Sequence, residues 1–128
     1  MKIAALIARI LLGLVFLVFG LNGFLLFIPG SDSLPPGLAG QFAGAMAQSH
    51  YMLAVSAVEI VGAVLLLSGF YVPLGLVLLG PVIVNILFFH AFLFPHGAGP
   101  GIVVTLLWLI VLLRCRLHFT GLFARKIA

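Results

Sequence analysis

Glu59 is the side chain in this sequence best placed to do chemistry. It is one of two acidic residues among 128, and it lies inside the apolar segment 52–69. A carboxyl group at the centre of a membrane-spanning helix costs about 2.5–3.5 kcal/mol on insertion scales, so an acid in this position predicts a functional site. The alternative is that Glu59 only hydrogen-bonds to a neighbouring helix and holds the two together.

Other polar residues fall at a similar depth in the apolar segments. With a rise of 1.5 Å per residue, Glu59 lies about 10 Å below one membrane boundary, Asn22 about 9 Å and Asn85 about 13 Å. His90 and Trp108 lie about 6 Å and about 10 Å below the same boundary. Because lipid penalises a polar group that faces outward, we expect these five side chains to converge in the interior.

Such a cluster suits the polar head of a lipophile. A neutral carboxyl group both donates and accepts hydrogen bonds, as do the amides of Asn22 and Asn85. His90 adds an imidazole, which can donate, accept and relay a proton. We therefore predict a site for a quinone or a similar molecule, with Trp108 and nearby phenylalanines as its walls. The alternative is that the polar groups satisfy only one another.

Arg9 belongs to the opposite end of the first apolar segment, about six residues inside it. Its long side chain can extend back to the aqueous interface. It can also turn inward and close that end of a helical bundle, as a further ligand-binding residue. Since Arg9 and Glu59 differ in depth, we expect no direct ion pair between them.

The composition requires lipid as the main solvent, because 65% of the residues are hydrophobic and only 6% are charged. Four apolar segments, residues 3–28, 50–69, 73–94 and 101–118, are each near or above the length that crosses a bilayer. Spanning segments must satisfy their own backbone, so the sequence predicts an all-α, integral membrane four-helix bundle, a single domain over residues 1–128. Residues Leu38, Phe42, Ala45 and Met46 add a short amphipathic helix in the first connection.

The basic residues predict the orientation. Lys2 precedes the first span, and four more cations, Arg114, Arg116, Arg125 and Lys126, lie at or after the end of the last. By the positive-inside rule both termini are cytoplasmic, in the cell membrane. Residues 119–128 pair apolar with basic side chains and predict an anchor to membrane lipids. Asp32 is expected to be an isolated, solvated acid.

The sequence lacks the patterns of several other functions. No basic stripe is interleaved with aromatic residues, so no nucleic-acid partner is expected. Cys115 is the single cysteine, which excludes an internal disulfide and a C-x-x-C redox motif. No histidine pairing typical of haem is visible, and Glu59 with His90 is too sparse a set for zinc, so haem and metal are not expected.

Small residues mark the helix faces that should pack. Gly13 and Gly20 lie one heptad apart, and Gly62 and Ala63 follow Glu59 by one turn. Small side chains let helix backbones approach closely in membranes, so these faces predict contacts within the bundle.

The residues Arg9-Ile-Leu-Leu-Gly13-Leu-Val-Phe-Leu-Val-Phe-Gly20-Leu-Asn22 resemble the first helix of the DoxX-like family of small four-helix membrane proteins. Glu59-Ile-Val-Gly62, followed by Leu-Leu-Leu-Ser-Gly69, resembles the second helix of that family, and His90 fits the end of the third. The family takes its name from a subunit of an archaeal thiosulfate:quinone oxidoreductase. The resemblance implicates Arg9, Asn22, Glu59 and His90. It differs at Gly23, where members often carry a lysine.

These observations lead to one main functional hypothesis and two alternatives. The first is a DoxX-like subunit that binds a quinone or similar lipophile in membrane redox metabolism, at most as part of a quinone-linked oxidoreductase. The second is a non-enzymatic assembly subunit whose small-residue faces bind another membrane protein or a second copy. The third is a small proton or solute carrier, which would need an oligomer.

Overall fold

Helices form almost the whole molecule. The computed structural model describes residues 2–30 and 33–126. Its elements are α1 (Lys2–Leu25), α2 (Gly37–Gln48), α3 (Tyr51–Ser68), α4 (Val72–Phe92) and α5 (Ala98–Cys115), with 3₁₀ turns over Pro95–Gly97 and Arg116–Phe123. No strand occurs within the described ranges. Four of the helical segments are long and apolar enough to cross a membrane, which confirms the predicted all-α membrane bundle.

The first helix is shorter than predicted, ending at Leu25 instead of at Ile28. Leu26 adopts a left-handed conformation with φ 51°, and its N–H donates to the Asn22 carbonyl at 2.8 Å. The Asn22 side-chain oxygen accepts the N–H of Ile28 at 2.8 Å. These two bonds satisfy backbone groups beyond the last helical turn, so the helix stops before Pro29 is reached.

The four long helices form a closed ring of antiparallel neighbours. Helix α1 packs against α3 and α5, and α4 packs against the same two helices. We call the end of the ring that carries α2 the α2 end, and the end that carries the first and last helical residues the terminal end. The core between the helices comprises Ala8, Leu12, Phe16, Ala63, Leu66, Leu76, Leu79, Ile83, Val104 and Val111.

Glycines allow α1 and α3 to approach closely. A Cβ atom at Gly13 would lie 2.7 Å from Cγ of Leu67, and one at Gly20 would lie 3.1 Å from the Ser56 carbonyl oxygen. A contact of 2.7 Å is closer than real Cβ atoms come, and one of 3.1 Å is closer than most of them come, so a residue larger than glycine at either position would force neighbouring atoms to shift. The predicted role of these glycines within the bundle is confirmed.

Gly62 has the same function between α3 and α4. A Cβ atom at Gly62 would lie 2.7 Å from Cγ of Leu79, and one at Gly75 would lie 3.2 Å from the Gly62 carbonyl oxygen. The faces that contain Gly13 and Gly62 are therefore occupied by the protein's own helices. They are not available to bind another membrane protein, which corrects one premise of the assembly hypothesis.

Helix α2 is present as predicted, but small residues form its packed face. Ala39, Gly40 and Gly44 are buried, whereas Leu38 and Phe42 are exposed. The helix contacts α3, and the Phe42 ring centroid lies 5.7 Å from that of Phe89 in α4. Leu38 thus projects away from the bundle, as expected for a helix at a membrane interface, whereas Phe42 is exposed but also contacts α4.

The last span starts earlier than predicted, at Ala98 instead of at Gly101. It continues into the 3₁₀ segment Arg116–Phe123, in which Leu122 and Phe123 are exposed and Phe119 packs against the core. Ile127, which we included in the predicted lipid anchor, and Asp32 lie outside the described residues.

Candidate functional site

Ser56 and Glu59 form a buried polar pair on α3, one helical turn apart. Ser56 is fully buried, and Glu59 is 5% exposed. Within the described part of the chain, the Ser56 hydroxyl oxygen and Glu59 Oε2 are buried without a hydrogen-bond partner. A buried polar group without a partner costs about 1–3 kcal/mol. The pair therefore has hydrogen-bonding capacity that the described part of the chain does not use.

The close approach of α1 explains why Ser56 is buried. Its hydroxyl oxygen lies directly against Gly23, and its Cβ would lie 2.7 Å from a Cβ atom at that glycine. No side chain fits at Gly23 in this packing, so the lysine that the family resemblance led us to consider at this position is incompatible with the arrangement. Sequence reasoning identified Glu59 but missed Ser56. The signal was available, since Ser56 precedes Glu59 by three residues on the same helix face.

Asn22 lies near this pair but has a structural function. It is half-buried, and its side-chain oxygen accepts the Ile28 N–H as described above. It precedes Gly23, the residue against which Ser56 packs. Asn22 thus fixes the end of α1 at the α2 end of the ring.

Asn85 does not face the interior, so this expectation is wrong. The residue is exposed, and its amide nitrogen donates to the Pro81 carbonyl oxygen at 2.9 Å. A polar side chain on a membrane helix can satisfy itself against the carbonyl one turn back and then needs no interior partner.

His90 lies at the junction of α4 and α5 instead of beside the acid. Its Nδ1 is 2.8 Å from the Ile86 carbonyl oxygen. Its Nε2 would lie 3.2 Å from a Cβ atom at Gly97, and its ring centroid is 5.3 Å from that of Phe89. Since Oε2 of Glu59 has no partner in the described ranges, His90 does not hydrogen-bond to that atom.

Trp108 occupies the terminal half of the ring. Its indole N–H donates to the Leu76 carbonyl oxygen at 3.0 Å. Leu79 is level with Gly62, so Leu76 lies about 9 Å nearer the terminal end than Glu59 does. The predicted common depth of Trp108 and Glu59 is wrong. The start of α5 three residues earlier than predicted moves Trp108 about 4.5 Å toward the terminal end and accounts for part of the difference.

Arg9 turns inward and binds the end of α3. Its guanidinium donates to the Leu66 carbonyl oxygen at 3.0 Å, and a Cβ atom at Gly69 would lie 2.7 Å from its Nη1. A cation at a helix C-terminus satisfies a free carbonyl and interacts favourably with the helix dipole. Leu66 is seven residues from Glu59, about 10 Å along the helix. Arg9 therefore stabilises the α1–α3 pair at a distance from the acid.

Two grooves on the surface lie away from the buried pair. One, of about 460 Å³, follows α2 between Leu34 and Gln48. The other, of about 360 Å³, lies at the terminal end between Lys2 and Leu117. Neither is lined by Ser56 or Glu59. Because both members of the pair are buried between helices, a molecule that binds them must separate the helices around them.

Comparison with known proteins agrees with the architecture. No curated protein and no solved structure matches the chain. The model of one protein family, DoxX, matches residues 4–92. This region runs from α1 to the end of α4 and includes both members of the buried pair. It covers more than half of the sequence, and the chain therefore belongs to the DoxX family.

Proposed function

We propose that this DoxX-family membrane protein binds a lipophile with a polar head, such as a quinone, at Ser56 and Glu59. The observation that supports this proposal is the buried pair of polar groups without partners in the described residues. Lipid chains supply no hydrogen bonds, so a ligand with polar atoms of its own would remove the free-energy cost of burying these two groups without partners.

A quinone head has the chemistry to satisfy both groups. Its carbonyl oxygens accept hydrogen bonds, and the Ser56 hydroxyl is a donor. The Glu59 carboxyl group donates when neutral and accepts when ionised, so it can pair with a carbonyl of the quinone or with a hydroxyl of the reduced form. The hydrocarbon tail of the molecule would lie among the lipid chains.

The α2 end is the shorter way to the pair. Ser56 is five residues from the start of α3, or about 8 Å. Helix α2 lies across this end, where it contacts α3 and where Phe42 meets Phe89. Entry of a ligand would displace α2 from these contacts and part α1 from α3 at Gly20 and Gly23.

The charge distribution gives the proposed orientation. All six lysines and arginines lie in the terminal half of the ring or beyond its terminal end. The positive-inside rule then makes both termini cytoplasmic and puts the buried pair in the outer half of the cell membrane. Electrons for a bound quinone would come from a partner redox protein, of which this chain would be the membrane subunit.

Ligand analysis tests the proposal. The protein is purified in a mild detergent and extracted for mass spectrometry of lipophiles, and a short-chain quinone is then titrated while Trp108 fluorescence is measured. We expect a quinone in the extract and saturable binding. Ser56→Ala and Glu59→Gln should each weaken binding about five- to tenfold, as for the loss of one buried hydrogen bond.

Asn85→Ala is the matched control, because it also removes a polar side chain from a span but from the exposed surface of α4. It should bind as the unmodified protein does. The proposal fails if no quinone is extracted and none binds, or if the Ser56 and Glu59 variants bind as tightly as the control.

A further inference from the structure

Three cations surround the groove at the terminal end. Lys2 is the first residue of α1, Arg114 lies in the last turn of α5, and Arg116 follows it. Together with Leu113 and Leu117 they line a groove of about 360 Å³. Helices α1 and α5 pack against each other, so the fold brings the start of α1 and the end of α5 to one site.

No acidic side chain of the described residues neutralises these cations. Glu59 is buried in the other half of the ring. Asp32, the second acid of the chain, lies outside the described residues and follows the far end of α1 in the sequence. Arg116 donates to the Leu113 carbonyl oxygen at 3.4 Å, which engages only one of its N–H groups. Arg116 is exposed, so its remaining donors can bind an anion from outside the protein.

A row of exposed leucines leads from the groove along α5. Leu106, Leu109 and Leu113 of α5 are 55%, 43% and 51% exposed, and their spacing of three and four residues puts them on one side of the helix. Leu117, which is 75% exposed, follows in the 3₁₀ segment. Leu106 lies about 10 Å from Leu113 along the axis. One leaflet of hydrocarbon is about 15 Å deep, so the row can lie beside most of an acyl chain.

We propose that this groove is a binding site for an anionic phospholipid, with the phosphate between the three cations and an acyl chain along the leucine row. Arginine and lysine are the usual ligands of phosphate groups, and each basic residue near an anionic membrane surface strengthens binding about fivefold. The continuous apolar row favours a lipid over free phosphate. The proposal is independent of quinone binding.

Native mass spectrometry of the full chain in detergent tests it. Phosphatidylglycerol and phosphatidylcholine with identical acyl chains are titrated separately, and inorganic phosphate is added as a competitor. We expect phosphatidylglycerol to bind at one saturable site at least tenfold more tightly than phosphatidylcholine. Inorganic phosphate should not displace it, because phosphate makes no contact with the leucines.

Two double variants with equal loss of charge locate the site. Arg114→Gln/Arg116→Gln should weaken phosphatidylglycerol binding about 30-fold, at about fivefold per cation. Arg125→Gln/Lys126→Gln, beyond the groove, should change it by less than twofold. If the groove variant is not recovered folded, Lys2→Gln at the exposed start of α1 replaces it, with an expected loss of about fivefold.

Three results would overturn the proposal. Equal losses in the two double variants would show a diffuse effect of surface charge. Equal binding of the two lipids would remove the role of the cations. Displacement of the lipid by inorganic phosphate would identify a site for the free anion.

Discussion

Replacing Gly20 with alanine should destabilise the protein, because α1 and α3 leave no room for a methyl group at this position. The new Cβ would lie 2.8 Å from Cγ1 of Ile60, 3.1 Å from the Ser56 carbonyl oxygen and 3.2 Å from the Ile60 backbone nitrogen. Two of these three atoms belong to the backbone of α3. Rotation of a side chain cannot remove the clash with these two backbone atoms, so the helices must move apart.

The magnitude follows from two opposing effects. Insertion of a methyl group into a packed interior costs about 1–3 kcal/mol. Alanine regains about 1 kcal/mol over glycine in a helix. The net change in the free energy of unfolding at Gly20 should be a loss of up to about 2 kcal/mol.

Two other glycines calibrate this value. At Gly13 the closest atoms, Cγ and Cδ2 of Leu67 at 2.7 and 2.8 Å, belong to a half-buried side chain that can turn aside. Gly13→Ala should therefore cost less than Gly20→Ala. At Gly99, in the first turn of α5, a Cβ atom would meet nothing within 4 Å, so Gly99→Ala should be neutral or slightly stabilising.

The assay is equilibrium unfolding in mixed micelles of a mild detergent and sodium dodecyl sulfate, followed by circular dichroism and Trp108 fluorescence. Leu67→Ala should partly rescue Gly13→Ala, since it removes the clashing atoms. Ile60→Ala should rescue Gly20→Ala much less, because the Ser56 oxygen and the Ile60 nitrogen remain. Equal stabilities of the Gly20 and Gly99 variants would refute the described α1–α3 packing.

Further expectations concern single side chains and use the same unfolding assay. Ser56→Ala should stabilise the ligand-free protein by about 1 kcal/mol or more, because it removes a buried hydroxyl group without a partner in the described residues; a loss of stability would mean that the hydroxyl group is bonded. Arg9→Met should lower the free energy of unfolding by about 1.5–3 kcal/mol, because the charged hydrogen bond to the Leu66 carbonyl at the end of α3 is lost. An unchanged stability would contradict that contact. Trp108→Phe should lower the free energy of unfolding by about 0.5–1.5 kcal/mol, because the Leu76 carbonyl loses the indole donor. This variant is followed by circular dichroism alone, and an unchanged stability would show that the bond contributes nothing.

The number, order and packing faces of the spans could be predicted from the sequence. An apolar segment of about 20 residues satisfies its backbone hydrogen bonds in lipid by forming a helix. The small residues Gly13, Gly20 and Gly62 indicate where helices approach each other. The ends of the spans were less predictable. Asn22 and Leu26 end α1 three residues early through side-chain and left-handed backbone geometry that hydrophobicity does not encode.

The candidate site was only partly predictable for the same reason. The acid at Glu59 was conspicuous because charge is so rare in this chain. Depth alone could not show which side of a helix each polar residue faces, or whether it is satisfied locally. Asn85 bonds to its own helix, and Trp108 and Arg9 bond to carbonyls of neighbouring helices, so none of them needs the acid. Ser56 could not be singled out by residue type alone because serine is common in membrane helices, and its importance depends on its lacking a partner among the described residues.

The closed ring has a consequence for biosynthesis. Helix α1 is translated first and α5 last of the four spans, yet the two are neighbours in the finished bundle. While the nascent chain leaves the translocon, α1 and α3 can already pack against each other at their glycines. The surface of α1 that contacts α5 in the finished bundle is still exposed at this stage. Assembly can therefore be completed only after α5 has been synthesised, and until then the chain is an open three-span intermediate.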